Sequence, residues 1–146
     1  PVPAGLTAET LKEQMAKFLG DQYQTPPMFS AKKVGGVPLY KLARQGQEVA
    51  REPRFIRVSK FDLLSWENPK AKFILSCTKG TYVRTLCHDL GKRIGCGARM
   101  TALRRISSDK FNVAEAVTLD ELSQMSPSTI KKILIPVRSA VPSLAF

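Results

Sequence analysis

Two side chains that are able to act on a ligand stand together in the stretch CTKGTYVRTLCHDLG, residues 77–91. Tyr82 and Arg84 fall where the pattern of a strand gives way to that of a helix. The N-terminus of a helix favours anions, through its unpaired N–H groups and its macrodipole. A positive Arg84 at this place works against the dipole unless an anion lies beside it. The sequence therefore predicts an anionic partner for Arg84 and does not identify that partner.

The other polar side chains nearby are weaker candidates for chemistry. Asp89, about one turn of helix beyond Arg84, is expected to cap or pair locally, and His88 to lie at the surface or in packing. Arg104 and Arg105 either contact phosphates or form one solvated and one salt-bridged side chain, and the sequence leaves both interpretations open. No Gly-rich phosphate loop, H-E-x-x-H helix or Ser-His-Asp order is present.

The cysteines and the single histidine argue against a metal centre. Cys77, Cys87 and Cys96 are odd in number and lack C-x-x-C spacing, and one histidine, His88, cannot supply a cluster. We predict buried thiols in a reducing, cytoplasmic setting, with no bound metal. No apolar run approaches the roughly 18 to 20 residues of a membrane span, and no signal peptide opens the sequence. The sequence therefore predicts no membrane segment.

The positive charge is concentrated in two blocks. Lys and Arg outnumber Asp and Glu by 23 to 12 among the 146 residues, a formal net charge of +11. Residues 21–60 carry eight basic and three acidic side chains, and residues 79–110 carry eight and two. The two blocks therefore hold +5 and +6, which is the whole excess. Such asymmetry is typical of a protein that binds a polyanion, and we favour nucleic acid over a merely soluble basic surface.

The first fifty residues predict a helix, a strand and a basic segment. Thr7 is a plausible N-cap before apolar residues at helical spacing, and Gly20 marks a C-terminal stop. Asp21–Gln24 is a candidate strand. The basic segment, residues 28–46, contains a flexible Gly-Gly turn and a short helix over residues 38–45. Because this segment is poor in large apolar residues, we expect it to project from the body of the protein.

The middle of the sequence predicts an antiparallel hairpin and an amphipathic helix. Residues 54–66 and 71–78 are rich in strand-forming side chains, and ENPK is the turn between them. Thr81 is the expected N-cap of the next helix, whose apolar stripe should face the sheet. The stripe consists of Val83, Leu86, Cys87, Leu90 and Ile94.

The C-terminal third predicts one strand and two short helices. Residues 98–106, ARMTALRRI, have the composition of another strand. Thr118 and Glu121 form a capping box before one helix, and Ser126 followed by Pro127 begins a second. Together these patterns predict an α+β protein, built on an antiparallel or mixed sheet with flanking helices.

Three segments of the sequence resemble a known family: QTPPMFSAKKVGGVPLYKLARQG, CTKGTYVRTLCHDLG and ALRRI. Their order and spacing are similar to those of the bacterial tRNA pseudouridine synthase B (TruB) family. The likeness runs from about Leu6 to the end and includes LIPVRSAVP. Members of the family isomerise uridine 55 in the T loop of transfer RNA to pseudouridine. The resemblance thus implies an intramolecular transferase that acts on tRNA and needs no metal or organic cofactor.

The resemblance supplies a partner for Arg84. In the family, the arginine of the G-T-Y-[IV]-R motif pairs with a catalytic aspartate and keeps that nucleophile oriented and ionised. The tyrosine of the motif, Tyr82 here, lies against a base that has flipped out of its loop, and Leu103 lines the pocket. Residues 28–46 resemble a mobile thumb that clamps the RNA arm. The RNA-binding side chains implied are Lys32, Lys33, Tyr40, Arg44, Lys79, Arg104 and Arg105.

The sequence departs from the family pattern in two places. The catalytic aspartate belongs to an upstream G-T-L-D motif, accompanied by a second tyrosine, and neither occurs here. The RNA-binding PUA domain that would follow Phe146 is also absent. We therefore expect residues 1–146 to be a partial catalytic domain, inactive alone, with the N-terminal half of the same domain as its partner. In the complete enzyme, the aspartate attacks uracil or its ribose, the glycosidic bond breaks, and the ring rejoins through carbon.

Two further interpretations stay open at this point. The chain is either a stand-alone basic RNA-binding module or a basic structural protein such as a ribosomal component. An enzyme fragment predicts that Arg84 lacks a charged partner in this chain, whereas a stand-alone module predicts an internally paired Arg84 and a closed sheet. A structural protein gives no reason for a tyrosine two residues before an arginine at a helix start.

Overall fold

The computed structural model describes residues 1–140, which belong to two compact units, residues 1–102 and residues 103–146. The predicted α+β class, with antiparallel sheets and flanking helices, is confirmed. The stretch LIPVRSAVP ends outside the described residues. No helix of residues 1–140 combines the length and the apolar character that crossing a membrane requires.

In chain order the elements are α1 (Ala8–Ala16), β1 (Gly20–Gln24), β2 (Lys33–Val34), β3 (Val37–Pro38), α2 (Leu39–Arg44), β4 (Arg54–Glu67), β5 (Lys70–Cys77), α3 (Val83–Ile94), β6 (Ser107–Ser108), β7 (Phe111–Asn112), a 3-10 turn (Val113–Glu115), α4 (Leu119–Gln124), α5 (Pro127–Ile133) and α6 (Val137–Ala140).

A three-stranded antiparallel sheet, in the order β1-β4-β5, organises the first unit. Strands β4 and β5 are the predicted hairpin, and they meet at the ENPK turn. Side chains alternate along β4, so that Ile56, Val58 and Phe61 point to one buried face, with a register shift between the last two. The opposite face carries Phe55, which is 59% exposed. One face of the sheet therefore builds the core and the other stays open.

Helices α1 and α3 supply the rest of the core. Thr7 caps α1 as predicted, because its hydroxyl accepts a hydrogen bond from Thr10 N at 3.2 Å. The predicted stripe of α3 is buried at its centre, at Leu86, Cys87 and Leu90. Full burial of each large apolar side chain contributes about 1.5–3 kcal/mol. A single cluster unites Leu11, Met15, Phe18, Ile56, Val58, Phe61, Leu86 and Leu90.

The basic segment, residues 28–46, forms the small hairpin β2–β3 followed by helix α2. Gly35 and Gly36 make the turn with φ values of +57° and +82°, in the left-handed region that glycine adopts readily. The predicted turn and helix are thus confirmed. The segment is joined to helix α3 through Phe29, whose main-chain oxygen accepts a hydrogen bond from Arg84, and within the segment Leu39 is fully buried, at 0% exposure. Its N–H group donates to Lys32 O at 2.8 Å, which ties α2 to the start of the hairpin.

The predicted end of the first helix was wrong. Helix α1 ends at Ala16, and Gly20, with φ +93°, begins β1 instead of stopping the helix. Phe18 N donates to Met15 O at 3.0 Å, and Leu19 N donates to Ala16 O at 3.1 Å. These shorter-range hydrogen bonds tighten the last turn and satisfy carbonyl groups that a longer helix would have used.

The predicted N-cap of α3 was also wrong by one residue. Helix α3 begins at Val83, and Tyr82 occupies the cap position without a capping side chain. The hydroxyl of Thr81 donates instead to Thr78 O at 2.8 Å. Thr81 is therefore engaged in the preceding turn and does not cap the helix.

Residues 98–106 do not form the predicted strand. The chain is irregular throughout this stretch, and the next strand is the two-residue β6. Within residues 1–140 no strand pairs with it, and its side chains are largely exposed, so neither ladder hydrogen bonds nor a buried face are available.

The second unit begins with the short pair β6–β7 and continues into small helices. The predicted capping box is confirmed, since Glu121 Oε2 accepts from Thr118 N at 2.7 Å and Glu121 N donates to the Thr118 hydroxyl at 3.2 Å. The hydrogen bond from Thr118 N lowers the pKa of Glu121. Ser126 caps α5, with Pro127 at its first position, as predicted.

Candidate functional site

Tyr82 and Arg84 lie at the start of α3, just beyond a turn that is fixed to the sheet. Gly80 adopts a φ of +83° in this turn. Thr78 N donates to Arg57 O at 2.9 Å, and Arg57 N donates to the Thr78 hydroxyl at 3.0 Å. The Tyr82 side chain is half-buried and that of Arg84 is exposed. The sheet therefore presents both residues from a fixed backbone.

A buried side-chain amide holds the backbone of Tyr82. Gln24, the last residue of β1, is only 5% exposed. Its Oε1 accepts a hydrogen bond from Tyr82 N at 2.8 Å, and its Nε2 donates to Tyr82 O at 3.2 Å. Both polar groups of the amide are thus used on a single residue, 58 positions away in sequence.

Arg84 reaches from the helix start to the beginning of the basic segment. Its Nη2 donates to the main-chain oxygen of Phe29 at 2.7 Å. Among residues 1–140, Arg84 forms no ion pair with a carboxylate. The rest of the planar guanidinium keeps N–H groups that suit a carboxylate or a phosphate. Such a partner is what the enzyme-fragment interpretation expects, whereas the internal ion pair expected of a stand-alone module is not seen in the described residues.

Four of the proposed RNA contacts lie within the basic segment. Lys33 and Arg44 are exposed, whereas Lys32 and Tyr40 are half-buried. The Arg44 guanidinium lies over the Tyr40 ring, 5.5 Å from its centroid. The segment that contains Phe29, the residue that Arg84 touches, therefore also presents cations and the ring of Tyr40.

The other proposed contacts are exposed. Lys79 lies in the turn before α3. Leu103, at 61% exposure, and Arg104 and Arg105 belong to the irregular start of the second unit. Neither arginine forms an ion pair within the described part of the chain, so the salt-bridged alternative is not observed there.

The remaining titratable groups of α3 offer no second reactive centre. His88 is exposed, and Asp89 forms none of the ion pairs within residues 1–140, contrary to the local pairing expected of it. Burial raises the pKa of the Cys87 thiol and so keeps it protonated. No group of three or more metal-ligating side chains occurs among the described residues.

Sequence reasoning missed Gln24 and the carbonyl of Phe29. Both contacts span more than fifty residues, at 58 and 55 positions. Periodicity and local motifs carry no information about such pairs. A polar residue at the buried end of an alternating strand, directly before T-P-P, was the available signal for Gln24.

The sheet β1-β4-β5 is open, with one exposed face and two edge strands. Tyr23 and Phe55 oppose each other across β1 and β4, and their rings make an edge-to-face pair with centroids 5.9 Å apart. Beside them, Arg57 Nε lies 3.3 Å from Asp21 Oδ1. Strands β1 and β5 are edge strands of this sheet. The closed sheet expected of a stand-alone module is therefore not formed by the described residues.

Comparison with protein families gives two consecutive matches. Residues 2–83 match the model described as TruB family pseudouridylate synthase, N terminal domain. Residues 84–142 match the model described as tRNA pseudouridylate synthase B C-terminal domain. Nearly the whole chain is thus covered by models of one enzyme family.

Individual relatives agree with these matches. The tRNA pseudouridine synthase B of Opitutus terrae is 59% identical over 99% of this chain and 59% of its own length. That of Syntrophotalea carbinolica is 47% identical over 97% of this chain and 47% of its own length. The chain therefore spans about half the length of the curated relatives that it matches.

A solved structure shares the fold. A chain in the crystal structure of a Cbf5-Nop10-Gar1 complex superposes with a TM-score of 0.72, at 24% sequence identity. The match covers 96% of this chain and 40% of that one. At this level of identity the likeness supports the fold alone.

Proposed function

Because the chain belongs to the TruB family of pseudouridylate synthases, we propose that it is part of an enzyme that converts uridine 55 in the T loop of tRNA to pseudouridine. The proposed partners are the T stem-loop of tRNA and the N-terminal half of the same catalytic domain. No membrane takes part, and the reaction belongs in the cytoplasm. In this proposal residues 1–146 are a partial catalytic domain with a thumb-like clamp at residues 28–46.

The exposed guanidinium of Arg84 is the observation that carries the proposal. It is charged and solvent-facing, and its one partner among residues 1–140 is the neutral carbonyl of Phe29. A carboxylate supplied by the preceding half would find a planar pair of donors there. Such pairing favours the ionised form of the carboxylate and fixes its orientation, which a nucleophile requires.

The neighbouring residues take roles that fit a flipped base. Tyr82 would lie against the uracil ring, and Leu103 would line the pocket that receives it. Because the backbone of Tyr82 is anchored on both sides by Gln24, its ring would be presented with little freedom. Stacking of a base on an aromatic side chain is worth about 1–3 kcal/mol.

Cationic and polar groups of the two basic blocks would hold the phosphates. Contacts with phosphate oxygens position an RNA without reading its sequence, and they account for the clustering of charge in two blocks. The proposed contacts are Lys32, Lys33, Tyr40, Arg44, Lys79, Arg104 and Arg105.

Turnover by two forms of the protein tests the proposal. Tritium release from 5-labelled uridine in a T-arm RNA reports the isomerisation, because the label at carbon 5 is lost when the glycosidic bond moves there. We expect no release with residues 1–146 alone and release with these residues joined to the preceding half. Turnover by the bare chain would show that its own residues supply the nucleophile.

A matched RNA separates binding from catalysis. The same T arm with cytidine in place of the target uridine should bind with similar affinity and release no label. If the joined protein binds both RNAs and releases label from neither, the chain is an RNA-binding module and the enzymatic proposal fails. The family matches already weigh against a ribosomal component.

A further inference from the structure

The amide of Gln24 pairs with Tyr82 in the manner of a strand residue. Tyr82 has an extended backbone, with φ −95° and ψ 102°, so its N–H and C=O groups point to the same side. The planar amide of Gln24 meets both groups, accepting at 2.8 Å and donating at 3.2 Å. This reciprocal exchange resembles a hydrogen-bonded pair of an antiparallel ladder, extended by a side chain beyond the end of β1.

This contact holds the backbone of the residue at the N-cap position of α3. Helix α3 has no capping side chain, and Tyr82 O already accepts from Thr85 N at 3.0 Å and Leu86 N at 3.2 Å. Gln24 adds a third donor to that oxygen and the acceptor for Tyr82 N. The start of the helix is therefore registered against β1 by one buried side chain.

The same stretch of chain holds the other residue of the site. Five residues after Gln24, the carbonyl of Phe29 accepts the hydrogen bond of Arg84. Residues 24–29 thus contact Tyr82 through its backbone and Arg84 through its side chain. No charged group takes part in the Gln24 contact, so its function is geometric and not electrostatic.

We propose that Gln24 is a positioning residue, which sets the place of the Tyr82 ring for the reacting base by fixing the Tyr82 backbone. The inference rests on the proposed function, in which Tyr82 contacts the base. A reacting group displaced by about 1 Å can lose a hundredfold in rate. Loss of the Gln24 amide should therefore act on kcat and leave RNA binding, which depends on the charged segment, close to unchanged.

The test uses Gln24→Met, which keeps volume and removes both polar groups, in the protein joined to its preceding half. Gln22→Met is the matched control, because Gln22 also donates from a part-buried amide, to Phe18 O, and does not touch Tyr82. We expect kcat for tritium release to fall at least tenfold in Gln24→Met and less than twofold in Gln22→Met. The dissociation constant for the T arm should stay within twofold in both.

A second variant keeps the test decisive if Gln24→Met does not fold. Gln24→Glu retains the acceptor for Tyr82 N and, when ionised, loses the donor to Tyr82 O. We expect a kcat severalfold below that of the wild type, at unchanged RNA affinity. The inference is overturned if Gln24→Glu keeps the wild-type kcat and Gln24→Met, where it folds, does so too. It is also overturned if the variants lose only affinity for the T arm and no kcat.

An amide-exchange measurement on residues 1–146 separates this inference from the proposed function. The Tyr82 amide should exchange at least tenfold faster in Gln24→Met than in the wild type or Gln22→Met, while Gln24→Glu retains protection. Unchanged exchange would refute the structural part of the inference whether or not the enzyme is active. If the exchange result holds and the wild-type joined protein releases no tritium, the proposed function fails, and with it the role of Gln24 in catalysis.

Discussion

Arg84 Nη2 lies 2.7 Å from the main-chain oxygen of Phe29, which joins the start of α3 to the start of the basic segment. The residue proposed to hold the nucleophile therefore also touches the segment proposed to clamp RNA. Lysine and arginine differ in the geometry of such contacts, since the planar guanidinium holds its N–H groups in a fixed fork whereas the lysine ammonium is a point charge with rotatable donors. Experiments at this place need to separate binding from rate.

Order in the basic segment should depend on RNA. Residues 33–38 form only a two-pair hairpin with exposed glycines, and we expect their amides to exchange faster than those of β5 in the free protein. T-arm RNA should slow their exchange severalfold, because phosphate contacts replace the packing that the hairpin lacks. Hydrogen-exchange mass spectrometry measures both states, and equal protection of residues 33–38 and β5 without RNA would contradict the prediction.

RNA affinity should depend steeply on salt. If the two basic blocks neutralise about six phosphates, log affinity falls against log salt with a slope of roughly −4 to −5. Lys33→Ala should make the slope shallower by about one unit. Lys70→Ala, at another exposed lysine, which lies at the β4–β5 turn and outside both blocks, should leave it unchanged. Filter binding between about 50 and about 300 mM salt, a range over which the Debye length falls to roughly half, measures the slopes. A slope near zero would show that the two basic blocks are not the RNA-binding surface.

Much of the first unit followed from local sequence. The alternation of β4, the ENPK turn and the apolar stripe of α3 predicted the β4–β5 hairpin and a helix that contributes to the core. These features are encoded by neighbours within a few residues, and burial of one face selects the register. Thr7 and Thr118 were recognisable as caps for the same reason, because a cap acts within one turn.

What the sequence did not reveal depends on distant partners. Residues 98–106 have the composition of a strand and remain irregular, because a strand also needs an edge to pair with. Thr81 has the chemistry of a cap and instead bonds to Thr78, while a glutamine from β1 serves Tyr82. The site is thus built by contacts across more than fifty residues, which local propensity cannot specify.

The three thiols should differ in reactivity. The predicted burial of the thiols is confirmed for Cys87, whose pKa is raised by desolvation, and was wrong for Cys77, which is exposed. Since the thiolate is the reactive form, brief iodoacetamide treatment near neutral pH should label Cys77 well before Cys87. The folded protein also keeps the Cys87 proton at a pH where the unfolded chain releases it, so stability should fall as pH rises above the unfolded thiol pKa. Peptide mapping measures the labelling, and equal rates in the native protein would contradict the burial of Cys87; in denaturant all three should react alike.

Gly91 should not tolerate a side chain. A Cβ at this buried position of α3 would collide with the backbone of Gly97 and Ala98, and Gly91 O already accepts from three following amides. Gly91→Ala should therefore destabilise residues 1–146 by about 1–3 kcal/mol, although alanine is ordinarily the better helix former. Gly5→Ala, where nothing lies within 4 Å, is the control and should change stability by less than about 0.5 kcal/mol. Urea unfolding measures both, and a Gly91→Ala variant as stable as the control would show that the loop after α3 yields.

The central claim is that Arg84 orients the carboxylate of the nucleophile, and its most direct test is Arg84→Lys in the protein joined to its preceding half. Single-turnover tritium release should fall by roughly a hundredfold, equivalent to about 3 kcal/mol, because lysine keeps the charge and loses the planar pair of donors. Arg93→Lys, the same change near the end of α3, should keep the wild-type rate. Filter binding should give the wild-type dissociation constant for the T arm in both variants. A rate of Arg84→Lys equal to that of the wild type, or a loss of rate matched by an equal loss of affinity, would contradict the claim.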